Sequence, residues 1–151
     1  MAQCPDPTKS FIIQSNADPY CVLDIADHNK DEGGEVILWT RNDGNNQKWR
    51  FQDGYIFNVE SGMCLEVQLQ NGAIVAGAHV VQATKRGVSD SLNQMWVINP
   101  TYGYITPWDP TAPRVTLAGL NNATRSGTLA SVQPLDLHNV AQQWAAHEAT
   151  S

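Results

Sequence analysis

The sequence predicts an all-β fold made of three similar units within one domain. The triplet Gln-x-Trp occurs three times, and its tryptophans, Trp49, Trp96 and Trp144, are 47 and 48 residues apart. Three further landmarks recur in the same order: an aromatic–aliphatic pair, a short apolar segment with one central polar residue, and a glycine. Landmarks that return in register indicate internal repeats. The repeats span about residues 10–53, 54–102 and 103–148.

The landmarks also predict which residues correspond between the repeats. The opening pairs are Phe11-Ile12, Tyr55-Ile56 and Tyr104-Ile105. The central polar residues of the apolar segments are Asp24, Glu66 and Thr116, and the glycines are Gly34, Gly77 and Gly127.

Strand signals dominate every repeat. Short segments rich in β-branched and aromatic residues are bounded by Gly, Asn, Asp or Pro, as is typical of strands. No segment combines a 3.6-residue apolar period with helix caps, so long helices are not expected. Three units do not fit a propeller, which normally has at least four blades. Four strands per unit could instead close a six-stranded barrel capped by three hairpins, which leaves no open sheet edge.

Composition excludes several classes of function. The 151 residues are enough for one domain with a proper core. The net charge is −6 and the nine Lys and Arg residues are scattered, so we expect no nucleic-acid partner. No apolar run is long enough for membrane insertion, and the N-terminus lacks the apolar core of a signal peptide. We therefore expect a protein that is cytoplasmic at synthesis, with release by a non-classical route left open.

Cysteines and histidines indicate neither a redox centre nor a metal site. Three cysteines, Cys4, Cys21 and Cys64, leave at least one unpaired, which suits a reducing compartment. Cys21 and Cys64 lie in apolar strands and are predicted to be small buried hydrophobes, whereas a bond from Cys4 is left open. The four histidines show no metal-ligand spacing, and the acidic turn 27–31 lacks the Gly and Glu of a calcium loop. No cofactor is predicted.

Three copies of 40–50 residues that each end in Gln-x-Trp resemble the β-trefoil of ricin B-type lectins. The resemblance covers about residues 11–144. It implies that the three triplet tryptophans pack in the core, one per repeat. It also implies one shallow sugar pocket per repeat, built from a carboxylate in the apolar segment, an aromatic at the end of the next strand, and an Asn-Gln pair. An aromatic face suits the C–H face of galactose, while the carboxylate and amides suit its hydroxyls.

The first repeat matches this pattern throughout. The predicted carbohydrate-binding residues are Asp24, Ile37, Trp39, Asn42, Asn46 and Gln47. Ile37 is predicted to share a strand face with Trp39, and Asn42 resembles an extra polar contact of galactose-binding trefoils. The alternative is that Trp39 belongs to the core and Asp24 caps a turn. The predicted counterparts of Trp39 in the other repeats are Gln82 and Val132. They argue against a core position for Trp39, because a core position shared by the repeats would not normally accept glutamine.

The other repeats match the pattern less well. A weak or altered second site is left open, with Glu66, Gln82, Asn93 and Gln94 as its residues. The third repeat has Thr116, Val132 and Ala141 at the acid, aromatic and Asn positions, so only Gln142 remains. Its triplet is predicted to be structural.

The predicted function is therefore non-enzymatic binding of glycans that contain galactose or N-acetylgalactosamine, with one strong site. Cross-linking of cells would require a homodimer or a second site. A trefoil protease inhibitor or another protein-binding scaffold is the main alternative, because trefoil loops also host such functions. A targeting module cut from a larger enzyme or toxin is disfavoured by the Met start and the three full copies. Trp108 is predicted to be exposed, either covering the barrel end or contacting a partner.

Overall fold

The computed structural model describes residues 5–149, which form twelve β-strands joined by turns. The strands are β1 Phe11–Ser15, β2 Cys21–Ile25, β3 Val36–Thr40, β4 Trp49–Gln52, β5 Tyr55–Asn58, β6 Cys64–Val67, β7 Val80–Ala83, β8 Trp96–Asn99, β9 Tyr104–Pro107, β10 Val115–Gly119, β11 Ala130–Pro134 and β12 Trp144–Glu148. Short 3₁₀ turns cover Ala26–His28, Asn45–Gln47, Val88–Asp90, Leu92–Gln94, Leu120–Asn122 and Val140–Gln142. The all-β prediction is confirmed. Within residues 5–149, no helix is long and apolar enough to cross a membrane.

Six strands, two per repeat, form the barrel. Strand β1 pairs antiparallel with β12 and β4, β4 pairs with β5, and β8 pairs with β9. Two backbone bonds complete the ring: Trp96 N donates to Gly54 O at 2.8 Å, and Trp144 N donates to Gly103 O at 2.9 Å. Each of them joins the first residue of β8 or β12 to the residue before β5 or β9. The ring leaves no barrel strand with an open edge.

The remaining strands form three hairpins, β2–β3, β6–β7 and β10–β11, which cap the barrel. Each hairpin is bound to the chain of another repeat. Leu38 N donates to Thr128 O at 2.8 Å, Gln82 N to Gly34 O at 3.0 Å, and Val132 N to Ala78 O at 2.9 Å. This cyclic set of bonds makes Leu38, Gln82 and Val132 equivalent around a pseudo-threefold axis.

The triplet tryptophans lie in the core, as predicted. Trp49, Trp96 and Trp144 are 0%, 4% and 5% exposed. Each indole Nε1 donates to a leucine carbonyl of the same repeat, at 3.0–3.1 Å: Leu23, Leu65 and Leu117. A buried indole needs a partner for its N–H group, so these bonds fix the position of each tryptophan.

The same bonds correct the predicted alignment of the third repeat. Because Leu117 corresponds to Leu23, the counterpart of Asp24 is Ala118 and not Thr116. Thr116 is fully buried, and its hydroxyl donates to Ile105 O at 3.1 Å. Every residue of β10 is buried, so the apolar pattern does not show which position faces a pocket.

Strand pairing corrects the counterparts of Trp39 in the same way. Trp39 pairs with Val22, while Ala83 pairs with Cys64 and Gln133 with Thr116. The counterparts of Trp39 are therefore Ala83 and Gln133, one residue beyond the predicted Gln82 and Val132. The equivalent glycines are Gly33, Gly77 and Gly127, all with φ between 81° and 95°, and not Gly34. Because Gly33 and Gly34 are adjacent, the spacing of the landmarks does not show which of them corresponds to Gly77 and Gly127.

Gln82 is a core residue, contrary to its predicted place in the second sugar site. It is 0% exposed, and its side-chain nitrogen donates to the carbonyls of Asn29 at 2.8 Å and Asp31 at 3.0 Å. A Cβ atom on Gly34 would lie 2.6 Å from that nitrogen, so the glycine gives the amide its room. The expectation that this core position would exclude glutamine is wrong, because neighbouring backbone carbonyls bind its amide.

The described cysteines, Cys21 and Cys64, are free and buried, as predicted. Burial raises the pKa of the Cys21 thiol to about 11 and that of Cys64 to about 12. Both therefore stay protonated at neutral pH and are poor nucleophiles. Cys4 lies outside the described residues. Trp108 is 49% exposed, as predicted.

Candidate functional site

A pocket of about 180 Å³ lies beside hairpin β2–β3 in the first repeat. It contains five of the six predicted site residues and two others, and its lining is Asp24, Asp27, His28, Ile37, Trp39, Asn42 and Asn46. The sixth predicted residue, Gln47, is 0% exposed and does not line the pocket. It supports Asp24 from the protein side.

The Asp24 carboxylate is held by two amides. Its Oδ1 accepts from Asn46 Nδ2 at 3.2 Å, and its Oδ2 accepts from Gln47 Nε2 at 2.8 Å. The residue is only 3% exposed, and this burial raises the pKa of the carboxyl above its ordinary value. The bond from Gln47 and the nearby His28 oppose the shift. A carboxylate has about four acceptor positions, so both oxygens can still accept bonds from a ligand.

Asn46 presents an acceptor that has no partner. Its Nδ2 donates to Asp24 and to the carbonyl of Ile25 at 3.1 Å, which fixes the orientation of the amide. Its Oδ1 is buried and makes no hydrogen bond with any described residue. An unpaired buried acceptor is costly, so this oxygen suits a donor from a bound molecule.

Trp39 provides a flat apolar surface at the end of β3. It is 45% exposed, whereas the core residue Trp49 is fully buried. Ile37, opposite Asp24 in the hairpin, lies two residues before Trp39 and therefore on the same strand face. The alternative that Trp39 is a core tryptophan is wrong.

Asn42 closes one side of the pocket. Its backbone N donates to Gln47 Oε1 at 2.8 Å, and its side-chain Oδ1 accepts from Gly44 N at 2.9 Å. Gln47 therefore binds both Asp24 and the turn that carries Asn42. The second bond leaves the N–H groups of the Asn42 side chain for a ligand.

Asp27 and His28 also line the pocket, although the sequence predicted only a polar turn at these residues. Both have φ above 50°, and they curl back over the pocket. His28 Nδ1 lies 2.9 Å from a carboxylate oxygen of Glu60 in the second repeat. Their closeness to Asp24 in sequence was the available signal, but only the left-handed turn brings them to the pocket.

A family model described as the ricin-type beta-trefoil lectin domain matches residues 9–144. The chain belongs to this family. No curated protein sequence matches the lectin chain.

Solved structures share the fold at low sequence identity. The designed three-fold symmetric protein ThreeFoil is 24% identical with a TM-score of 0.74, covering 91% of this lectin domain and 97% of its own chain. The C-half of an earthworm R-type lectin, in complex with GalNAc, is 16% identical with a TM-score of 0.75 and coverages of 93% and 98%. A ricin B-like lectin from Macrolepiota procera, in complex with lactose, is 17% identical with a TM-score of 0.75 and coverages of 96% and 99%.

The second repeat of the lectin domain has a larger pocket, of about 540 Å³, lined by Glu66, Arg86 and Asn93 among others. Gln94 Nε2 donates to Glu66 Oε1 at 3.1 Å, as Gln47 does to Asp24. Of the four predicted residues, Glu66 and Asn93 line this pocket and Gln94 supports Glu66 from the protein side, whereas Gln82 lies in the core. Ala83 stands at the position of Trp39, so the pocket has no aromatic surface at that position.

The third repeat lacks both the acid and the aromatic. Ala118, Gln133 and Ala141 stand at the positions of Asp24, Trp39 and Asn46. Gln142 Nε2 donates to Asn122 Oδ1 at 3.0 Å, so an amide oxygen replaces the carboxylate as its acceptor. Among residues 5–149, no group of three or more His, Cys, Asp or Glu side chains could hold a metal ion.

Proposed function

We propose that this lectin binds glycans that contain galactose or N-acetylgalactosamine, without enzymatic activity, through one strong site in the first repeat. One observation carries the proposal. A fixed carboxylate, a half-exposed indole and an unpaired amide oxygen line the same pocket, on Asp24, Trp39 and Asn46.

Each group has a complementary part on a galactose-type ring. Asp24 accepts hydrogen bonds from two adjacent hydroxyls, and the Asn46 Oδ1 accepts a third. The indole of Trp39 stacks on the apolar C–H face, next to Ile37, and Asn42 donates at the rim. Gln47 holds Asp24 in place and does not touch the sugar. A site that pairs buried polar groups with hydroxyls discriminates sharply against epimers that misplace one of them.

The bound sugars of two structural relatives support this ligand class. The earthworm R-type lectin was solved with GalNAc and the Macrolepiota procera lectin with lactose, which contains galactose. For one sugar in an open pocket we expect a dissociation constant on the order of millimolar, about 4 kcal/mol. Agglutination of cells therefore requires two linked sites, for which a homodimer is the simplest arrangement.

Retention on galactose-agarose tests the proposal. The protein is expected to be retained and to elute with galactose or N-acetylgalactosamine, but not with mannose. Asp24→Ala is expected to abolish retention while circular dichroism shows an unchanged fold. If the wild type is not retained on galactose-agarose, and if substitutions in a loop abolish binding to a protein partner, the protein-binding alternative is favoured instead. A glycan array then defines the preferred oligosaccharide.

A further inference from the structure

Arg86 occupies, in the second repeat, the backbone position that Asn42 occupies in the first. Arg86 N donates to Gln94 Oε1 at 3.0 Å, as Asn42 N donates to Gln47 Oε1 at 2.8 Å. The two side chains therefore start from the same place beside their pockets. The arginine side chain bonds to the acid of its repeat, whereas the Asn42 side chain accepts from Gly44 N.

The Arg86 guanidinium binds the groups that a sugar would need. It donates through Nη1 to the Glu66 carboxylate, through Nη2 to Asn93 Oδ1 at 2.7 Å, and through Nε to the Asp90 carbonyl at 2.8 Å. Three bonds of this kind hold a flexible side chain in one position.

The asparagines of the two repeats show the difference most directly. Asn46 and Asn93 both donate to the carbonyl of the residue after the acid, Ile25 or Val67, at 3.1 and 2.9 Å. Their amides are therefore oriented alike. The Asn46 Oδ1 has no partner among the described residues, whereas the Asn93 Oδ1 accepts from Arg86.

We propose that Arg86 is an internal substitute for the ligand and closes the second repeat to sugar. The proposal rests on the proposed function, because the first repeat defines where a sugar lies. The N–H groups of the Arg86 guanidinium take the place of sugar hydroxyls as donors to Glu66 and Asn93. A neutral sugar must break charge-assisted bonds to enter, and without an aromatic at Ala83 it gains little in return. Arg86 therefore occupies the second pocket in place of a sugar, while the third repeat lacks the acid and the aromatic.

A matched pair of variants isolates the arginine. Both carry Asp24→Ala, which removes the first site, and Glu66→Asp with Ala83→Trp, which give the second repeat the acid and indole of the first. One variant keeps Arg86 and the other also carries Arg86→Asn, the residue of the first repeat. Retention on galactose-agarose and calorimetry are the assays, and thermal melting checks the fold.

We expect no binding while Arg86 is kept, and one galactose per chain once it is replaced. Binding by the variant that keeps Arg86 would overturn the proposal, as would absence of binding by the folded variant with Asn. The wild type, tested in parallel, reports on the first repeat alone. If the wild type does not bind galactose, the proposed function is contradicted. The role of Arg86 is then still decided by comparing the two variants of the matched pair.

A single substitution covers the case in which the multiple variants do not fold. In Arg86→Asn alone, galactose at high concentration is expected to shift the NMR signals of the Asn93 side-chain amide. The same titration of the wild type is expected to leave those signals unmoved and to shift those of Asn46. Equal behaviour of Asn93 in both proteins would overturn the proposal.

Discussion

Replacing Trp39 by alanine separates binding from stability, because the chain contains a matched control. Trp39 is 45% exposed and Trp108 is 49% exposed, so each buries about half of its side chain. Full burial of a tryptophan is worth about 3–5 kcal/mol against alanine, so each variant should lose about 2 kcal/mol of folding stability. Only Trp39 lines the first-repeat pocket.

The binding losses should therefore differ where the stability losses do not. Removing an aromatic that carries a binding site costs at least about 2 kcal/mol, or about 30-fold in affinity. From a millimolar starting value, Trp39→Ala falls beyond the range of calorimetry, while Trp108→Ala binds as the wild type does. Trp39→Phe, which keeps an aromatic face, is expected to retain weakened binding.

The assay is a galactose titration by calorimetry at a temperature where urea denaturation shows both variants to be folded. Equal affinities of the Trp39 and Trp108 variants would refute the stacking role of Trp39. Loss of binding in both variants would point to a general effect of destabilisation.

Three further results are expected. Asp24→Asn places an NH₂ group against one of the two amide donors, Asn46 and Gln47, and removes the negative charge. Galactose affinity should therefore fall about 10- to 160-fold, which corresponds to about 1.5–3 kcal/mol. Wild-type affinity in calorimetry would contradict this prediction. Because burial raises the pKa of Asp24 and the sugar needs its carboxylate, galactose affinity should be constant near neutral pH and fall up to tenfold per pH unit below that pKa. On acidification the fall should begin at a higher pH than it would for an ordinary aspartate. A galactose affinity that acid does not change in the folded protein would refute this dependence. Gln82→Leu removes the hydrogen bonds from the Gln82 side chain to the carbonyls of Asn29 and Asp31, but it places a leucine where the first repeat has Leu38, so the melting temperature should change little. Galactose affinity should fall several-fold. An unaltered affinity would show that the turn that contains Asn29 and Asp31 needs no such support.

Much of the molecule could be predicted because repetition is visible without coordinates. A triplet that returns every 47 or 48 residues indicated three units, and the resemblance to ricin B-type lectins placed its tryptophans in the core, where the structure has them. The resemblance to ricin B-type lectins indicated Asp24, Trp39 and Asn46, which lie on one hairpin and the turn after it and are close together in the chain. Their grouping in one pocket needed only local structure.

Other features depended on one-residue differences that the sequence alone does not define. Ala118, and not Thr116, is the counterpart of Asp24, because hydrogen bonds from the core tryptophans set the register of a fully buried strand. Gln82 lies in the core because carbonyls of the first repeat bind its amide.

The sequence by itself determined the repeat and the strand content, because these are properties of neighbouring residues and their spacing, and its resemblance to a lectin family indicated five of the seven residues that line the first pocket. The tertiary structure decided the register between repeats, the approach of His28 to Glu60, and the place of the Arg86 side chain. A long flexible side chain takes the position in which its hydrogen bonds are satisfied, and those partners are assembled only when the repeats pack together.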